Sequence, residues 1–524
     1  MVNTRFLAGG SRASIFTTIL ALTTSLTAAF PTQHEFDGAE LARRQNSSLA
    51  LGDCLATAGI ETSLPTSGNW TIDTEAWNSR LSPIPSAVVF PKTEEEVSAA
   101  LKCAKDTGTK VTTLGGNRSF SSMGFGRNDG ALIINLKNLK VLEYDETTQL
   151  FTYGGPVMIS EAAGFMWENY KRALPHGRCP DVGMAGVAAS GFGTLSRASG
   201  TVLDNVVGVR VALANGTIID ADATENSDVY WAVRGAASSI GVVLRFKLQT
   251  LEPPSQIVTN YTIAFPANYT PTQQDNVDAL IGTQAWVQSA DNNDLFSIRF
   301  GIKTSSQLQG FFYGTAEEFT TVSQSLLSYL PSMMTIKSTE ANFWDSEDFT
   351  TPGIKAKSIT SRRYFYISSV TIPGSAPLDN STAWDLFSAT AYEAKLPDAT
   401  ASGFVDMWGG SYTKGIKSDD SAWKHDDNLL LIRWDIRTSS FDVPFAASTL
   451  DTVHNNFYKF VDAYKAAGGS PGGFTTYRDE KWDIDQTAEY LYGDNWARLQ
   501  EIKTAVDPDE LFNTDPQAVP ALTA

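Results

Sequence analysis

The sequence predicts an α+β fold in which a cofactor-binding region, organised on two glycine turns, precedes a second unit on a mostly antiparallel sheet. Three observations support this. The stretch Pro175 to Gly193, PHGRCPDVGMAGVAASGFG, joins a cysteine to small residues at Gly183, Ala185, Gly186, Ala188, Ala189, Gly191 and Gly193, which lets a flat ligand approach the backbone. A second glycine turn, LGGNRSFSSMGFG from Leu114 to Gly126, follows the β-prone run Lys110 to Thr113. One such turn reads as a surface loop; two can face a single ligand. Past Glu252-Pro253-Pro254, the clearest boundary, period-two strands Leu295 to Ile302, Arg362 to Val370 and Leu429 to Ile436 alternate with helices Ala316 to Tyr329 and Thr452 to Ala466.

Taken in order, a helix spans Ser48 to Ala58, and a capping box, Thr93-Glu94-Glu95-Glu96, starts the next. That helix puts Val97, Ala100, Leu101 and Ala104 on one face and stops at Gly108. Ala131 to Leu136 and Leu150 to Tyr153 read as strands, and Ser160 to Arg172 as an amphipathic helix leading to Cys179. Val206 to Leu213, the Asn215-Gly216 turn and Ile218 to Asp220 form a hairpin. Asp228 to Arg234 is a short helix and Gly241 to Thr250 a strand. The last helix, Asn495 to Val506, aligns Trp496, Leu499, Ile502 and Val506 and ends before Pro508.

The ends and the charge bound the setting. Arg5 and Arg12 precede an apolar run from Ile15 to Leu26 and small residues Thr27-Ala28-Ala29, which reads as a signal peptide over 1–29, an uncleaved anchor being the alternative. Residues 30–50 form a linker or pro-segment containing the dibasic pair Arg43-Arg44. Sequons begin at Asn46, Asn69, Asn117, Asn215, Asn260, Asn268 and Asn380, as expected of a secreted glycoprotein, with Asn117 expected bare inside the glycine turn. The chain has 40 basic and 58 acidic residues, a net charge of -18, which disfavours nucleic acid and anionic membranes as partners. Cys54 and Cys103 can pair in an oxidising compartment, which leaves Cys179 free for a buried or chemical role. No His, Cys and carboxylate cluster has metal-ligand spacing, and no metal is expected.

The order of PSAVVFPKTEEEVSAALKCAKDTG, GG, HGRCPDVG, DVYWAVRGAASSIGVVLRFKL and LYGDNWARLQEIKTAVDPDELF resembles the berberine bridge enzyme-like flavoproteins of the vanillyl-alcohol oxidase superfamily, which include glucooligosaccharide oxidases. The likeness runs from about Cys54 to Pro516. It implies a bipartite FAD-binding domain of the p-cresol methylhydroxylase type, 51–255 and 471–524, with a substrate-binding domain, 256–470, inserted on an antiparallel sheet. It also implies FAD contact at Gly115, Gly116, Asn117, Ser119, Gly183, Gly186, Gly191, Gly241 and Val242. Many members attach FAD through a His in a GGxHS-type turn and a Cys in an HGxCPxVG-type loop. Cys179 matches the second, but GGNRSF sets Arg118 at the His position, and a guanidinium is no practical nucleophile. One covalent link at most is therefore expected, with Arg118 free to pair with the FAD pyrophosphate.

The FTTYRD segment resembles the family's YxNYxD element and implies Tyr477 as the base, while Asp406 in VDMWGG aligns with the carboxylate that assists it. A phenol titrates near pKa ~10 and needs such help at neutral pH. Unlike sugar-oxidising members, this chain has Gly301, Ser402, Phe404 and Arg433 in the groove and Phe120 in place of a Tyr. Period two aligns Arg433, Asp435 and Arg437, and Arg299 joins them from its own strand. Burying unpaired hydroxyls costs about 1–3 kcal/mol each, so a small, partly aromatic or apolar alcohol or biosynthetic intermediate, with an acidic or carbonyl group for Arg433, is expected. Arg433 merely bridging Asp435 is the competing reading. His176 either tunes Cys179 or the flavin or makes a structural hydrogen bond, and His425 orders a loop. The function expected is a secreted, monomeric FAD-linked oxidase using dioxygen on a small molecule. A flavin-scaffolded cyclase or isomerase, or an oligosaccharide oxidase, is the alternative.

Overall fold

The computed structural model describes residues 49–393 and 395–523. The expected signal peptide, the Arg43-Arg44 pair and the Asn46 sequon lie outside the described residues.

Three sheets carry the chain. The first runs Thr62–Ser63, Ala87–Val89, Leu132–Asn135, Val111–Leu114, with the last three strands parallel. Its inner strands are continuous apolar runs because both faces are covered. The helix Glu94–Asp106 packs there, Thr93 accepting from the Glu96 N–H at 3.2 Å and Glu96 accepting from the Lys92 N–H at 2.7 Å. A Cys54–Cys103 disulfide ties this helix to the helix at 49–57.

An antiparallel five-stranded sheet follows, in the order Leu142–Asp145, Leu150–Gly154, Val242–Gln249, Val206–Ala212, Ile218–Asp222. The Asn215-Gly216 turn closes its last hairpin with Gly216 at φ +82°. The helix expected to end at Arg234 is Ser227–Ile240, kinked at Arg234 to Ala236. Gly235 takes φ +120°, and a Cβ there would meet the Trp423 nitrogen at 2.7 Å.

The third sheet is antiparallel and seven-stranded: Thr335–Asn342, Ile257–Ala264, Gln307–Phe312, Arg299–Ile302, Thr400–Met407, Asn428–Arg437, Phe365–Pro373. Two of its strands differ from expectation at their ends, Arg299–Ile302 starting later and Phe365–Pro373 shifted onward. Thr400–Met407 was not anticipated because TASGFVDM lacks apolar alternation, and Thr335–Asn342 because it is a largely exposed edge strand. In both, pairing with a neighbouring strand supplies what local pattern does not.

The C-terminal segment returns to the earlier sheets. Leu499, Ile502 and Val519 share a core with Phe151, Val211 and Ile240, while Trp496 and Val506 are only partly buried against it. The Leu511 carbonyl accepts from the Val111 N–H at 2.8 Å. Lys503 and Asp507, both fully buried, pair at 2.6 Å; Lys503 also donates to the Ser239 carbonyl, and Asp507 accepts from the N–H groups of Leu511 and Phe512. Removing one partner strands a buried charge. Asp507→Ala should therefore lower stability by about 3–5 kcal/mol in denaturant titration; a loss within ~1 kcal/mol would show that the pair does not hold this segment.

Candidate active site

The two glycine turns touch backbone to backbone. A Cβ on Gly183 would lie 2.8 Å from Gly116 Cα, and one on Gly115 would lie 2.7 Å from the Gly155 oxygen. Gly191 takes φ +69° with Val187 crowding it, and Gly193 abuts the His176 carbonyl. Among the glycines of Pro175 to Gly193, only Gly186 faces open space. The glycines thus serve mainly to bring the loops together, and the ligand bed is what that closeness leaves between them.

That bed is a cavity of about 500 Å³. Of the residues expected there, Gly115, Gly116, Asn117, Arg118, Ser119, Cys179, Gly183, Gly186, Gly191, Gly241, Arg299, Phe404, Arg433 and Tyr477 line it. Val242 does not. Strand alternation turns it into the core beside Leu244, and Val243 faces the cavity instead.

Arg118 departs from expectation. Its NH1 donates to Asp181 Oδ1 at 2.7 Å and to Cys179 Sγ at 2.8 Å, and its guanidinium lies over Trp77 at 4.4 Å. A buried guanidinium takes the carboxylate within reach, and its Nε has no partner. Asp181 also accepts from the Thr360 N–H and hydroxyl, each at 2.7 Å. Burial pushes the Cys179 thiol up to about 11, against the opposing pull of Arg118.

Asp406 departs as well. It is 1% exposed and absent from the cavity wall, because the strand register sets Arg299 directly opposite it. Arg299 grips both its oxygens at 2.7 Å, so no direct Asp406–Tyr477 pairing forms. Tyr477 stands among aromatic rings: Phe474 at 4.8 Å, Phe120 at 5.7 Å, and Phe120 stacked on Phe365 at 4.7 Å. The Ser369 hydroxyl donates to its carbonyl at 2.7 Å. Its nearest cation is Arg433, whose guanidinium lies 4.9 Å from the ring centre. Burial opposes the Arg433 charge, but Asp435 and the Tyr477 phenol outweigh it and hold the guanidinium's proton more firmly than usual. Arg433 does pair with Asp435, at 3.0 Å, and lines the cavity at the same time, so the two readings of it coexist.

His176 binds buried Glu347 at 3.2 Å and the Gly177 carbonyl, not Cys179. His425 sits between Asp204, at 2.7 Å, and the Trp423 carbonyl. Sequence reasoning missed Arg178, Arg363 and Trp77, which also line the cavity. Arg178 had a signal available, its place inside HGRCP. Among the described residues no group of three His, Cys, Asp or Glu side chains is arranged to hold a metal.

Comparison with known proteins fits this geometry. Residues 85–222 match the family described as FAD binding domain, and 475–520 the family described as berberine and berberine like. A carbohydrate oxidase of Microdochium nivale is 30% identical, over 90% of this chain and 94% of that protein. An FAD-linked oxidoreductase, sorD, of Penicillium rubens is 29% identical, over 90% of this chain and 99% of its own length. Among solved structures, the Microdochium nivale carbohydrate oxidase in complex with a substrate analogue superposes with a TM-score of 0.82 at 27% identity, covering 90% of this chain and all of that one. So does glucooligosaccharide oxidase from Acremonium strictum, described as carrying a 6-S-cysteinyl, 8α-N1-histidyl FAD, with a TM-score of 0.81 at 25% identity, covering 91% of this chain and all of that one.

The residues present fit FAD. Open space above Gly186 and the unpartnered buried donors Arg118 Nε, Ser122 Oγ and Trp77 Nε1 all border the cavity, as a polar, flat dinucleotide requires. In flavin-free protein, alkylation of Cys179 by iodoacetamide should be slow near neutral pH and accelerate as pH nears about 11, because burial raises the thiol. Arg118→Gln should move the rise to still higher pH. Alkylation near neutral pH as fast as that of free cysteine would contradict this environment.

Proposed function

Because this chain belongs to the berberine bridge enzyme-like family of FAD-linked oxidases, we propose that it oxidises a small alcohol or biosynthetic intermediate, with Tyr477 as the base. Bound FAD supplies the acceptor for the hydride, and dioxygen takes the electrons on to hydrogen peroxide. The observation that carries the reading is the wall shared by Cys179, Tyr477 and Arg433.

Tyr477 acts as its phenolate, which takes the proton of the substrate hydroxyl and becomes the phenol, with the Arg433 guanidinium 4.9 Å from its ring centre. Asp406 acts at one remove, by fixing Arg299 on the ring of Phe404 at 3.6 Å. Phe120, Phe365 and Phe474 keep water from the phenol and fix its plane. Cys179 is the single covalent anchor for FAD, since Arg118 removes the second nucleophile and instead offers the thiol a cation.

The same reading divides the chain into an FAD-binding domain, 51–255 with 471–524, and a substrate-binding domain between. Export suits the exposed sequons at Asn69, Asn215, Asn268 and Asn380; Asn260 instead turns under the helix Phe343–Thr350 to reach Ser346. No helix among the described residues is long and apolar enough to cross a membrane.

A second reading, oligosaccharide oxidation, draws on the names of the relatives. Peroxide release from xylobiose and from aromatic alcohols, compared on one preparation, separates the two. A non-redox cyclase is excluded if substrate bleaches the flavin anaerobically.

Tyr477→Phe should keep its flavin and lose about 10²–10⁴-fold in kcat; unchanged turnover would remove Tyr477 from the chemistry. After acid denaturation the flavin should stay with the wild-type polypeptide and leave Cys179→Ala. Release from both would rule out the covalent link.

A further inference from the structure

Arg178 is a buried cation without a settled counterion. Its side chain is 7% exposed, it lines the cavity next to Cys179, and its Nε has no hydrogen-bond partner. Its NH2 donates to the Ser297 hydroxyl at 3.3 Å, and the nearest carboxylate oxygen, on Asp406, is 3.8 Å away. That carboxylate is already committed to Arg299 through both oxygens. Burial, and after it the Arg299 charge, pulls the Arg178 guanidinium down to about 10.

The surrounding wall repeats the imbalance. Arg433 shares the single carboxylate of Asp435 with Arg437. Arg363 also lines the cavity, and among the described residues no carboxylate lies within ion-pairing distance of it. Of the seven arginines lining the cavity, Arg118 pairs with Asp181 and Arg478 with the Thr475 carbonyl, and the other five have only the carboxylates of Asp406 and Asp435, inside a protein whose net charge is -18. Neutral hydroxyls would leave the charge of Arg178 and Arg433, at 7% and 14% exposure, poorly compensated. The faces between the cations are flat and apolar: Phe404 lies between Arg299, at 3.6 Å, and Arg433, at 5.3 Å, beside stacked Phe120 and Phe365.

We propose that the cavity takes a flat substrate carrying a carboxylate, which pairs with Arg178 and Arg433 while the reacting alcohol turns to Tyr477; this rests on the flavin-dependent oxidation proposed above. A carboxylate is the smallest planar anion that two guanidinium forks can share. The same cations could serve another anion, the reduced flavin ring, and the test separates the two sources.

The flavin content of purified wild-type protein is measured first; protein without flavin sinks the oxidase reading and this one with it. The flavin-loaded protein is then titrated anaerobically with the ortho, meta and para hydroxymethylbenzoates and with the matching benzamides, following flavin absorbance. At least one acid should bind ~10-fold or more tightly than its amide, as a charged two-pronged pair predicts. Arg178→Met should bring that ratio near unity and Arg178→Lys should keep part of it. Acids that bind no better than amides, or no binding by any isomer, overturn the proposal, and this wild-type comparison decides even if the variants do not fold. If wild-type protein shows no acid preference and Arg178→Met lowers the flavin midpoint potential, the cations serve the reduced ring instead, and the proposal falls.

Discussion

The contact between the loops at Gly116 and Gly183 is the constraint on which the site depends. Neither position has room for a Cβ, so the two turns meet with nothing between them. That closeness delivers Arg118 to Cys179 and Asp181, and Asp181 in turn holds Thr360 on the approach to the seven-stranded sheet. A single side chain in the seam would separate three parts of the molecule at once. The cavity lies against that seam, with Gly115, Gly116, Gly183 and Gly186 in its wall.

Electrostatics then set what the cavity can hold. An acidic chain keeps its surface soluble and places arginines where they are hardest to solvate. Cross-strand register accounts for most of this: Arg299 stands opposite Asp406 and Phe404 opposite Arg433, while Arg433, Asp435 and Arg437 share a strand face. Each carboxylate is engaged by its neighbours before any ligand arrives. Arg178, whose Nε has no partner, and Arg363, with no carboxylate in ion-pairing distance among the described residues, face the same cavity as Tyr477.

The sequence by itself determined the fold family, because it depends on motifs that are contiguous: the GGNRSF turn, the HGRCPDVG loop and the terminal helix around Leu499 are each read locally. The absence of a second nucleophile was equally legible, since one residue, Arg118, decides it. Strands such as Thr400–Met407 were not legible, because their identity comes from partners rather than from their own pattern. Nor were the partners of Asp406 and Arg118, which depend on which charged group lies nearest after strands from distant parts of the chain are brought side by side. Only tertiary structure could turn Val242 away from the cavity and leave Arg178 buried with one shared carboxylate, because burial and counterion distance are properties of the packed sheet and not of any segment within it.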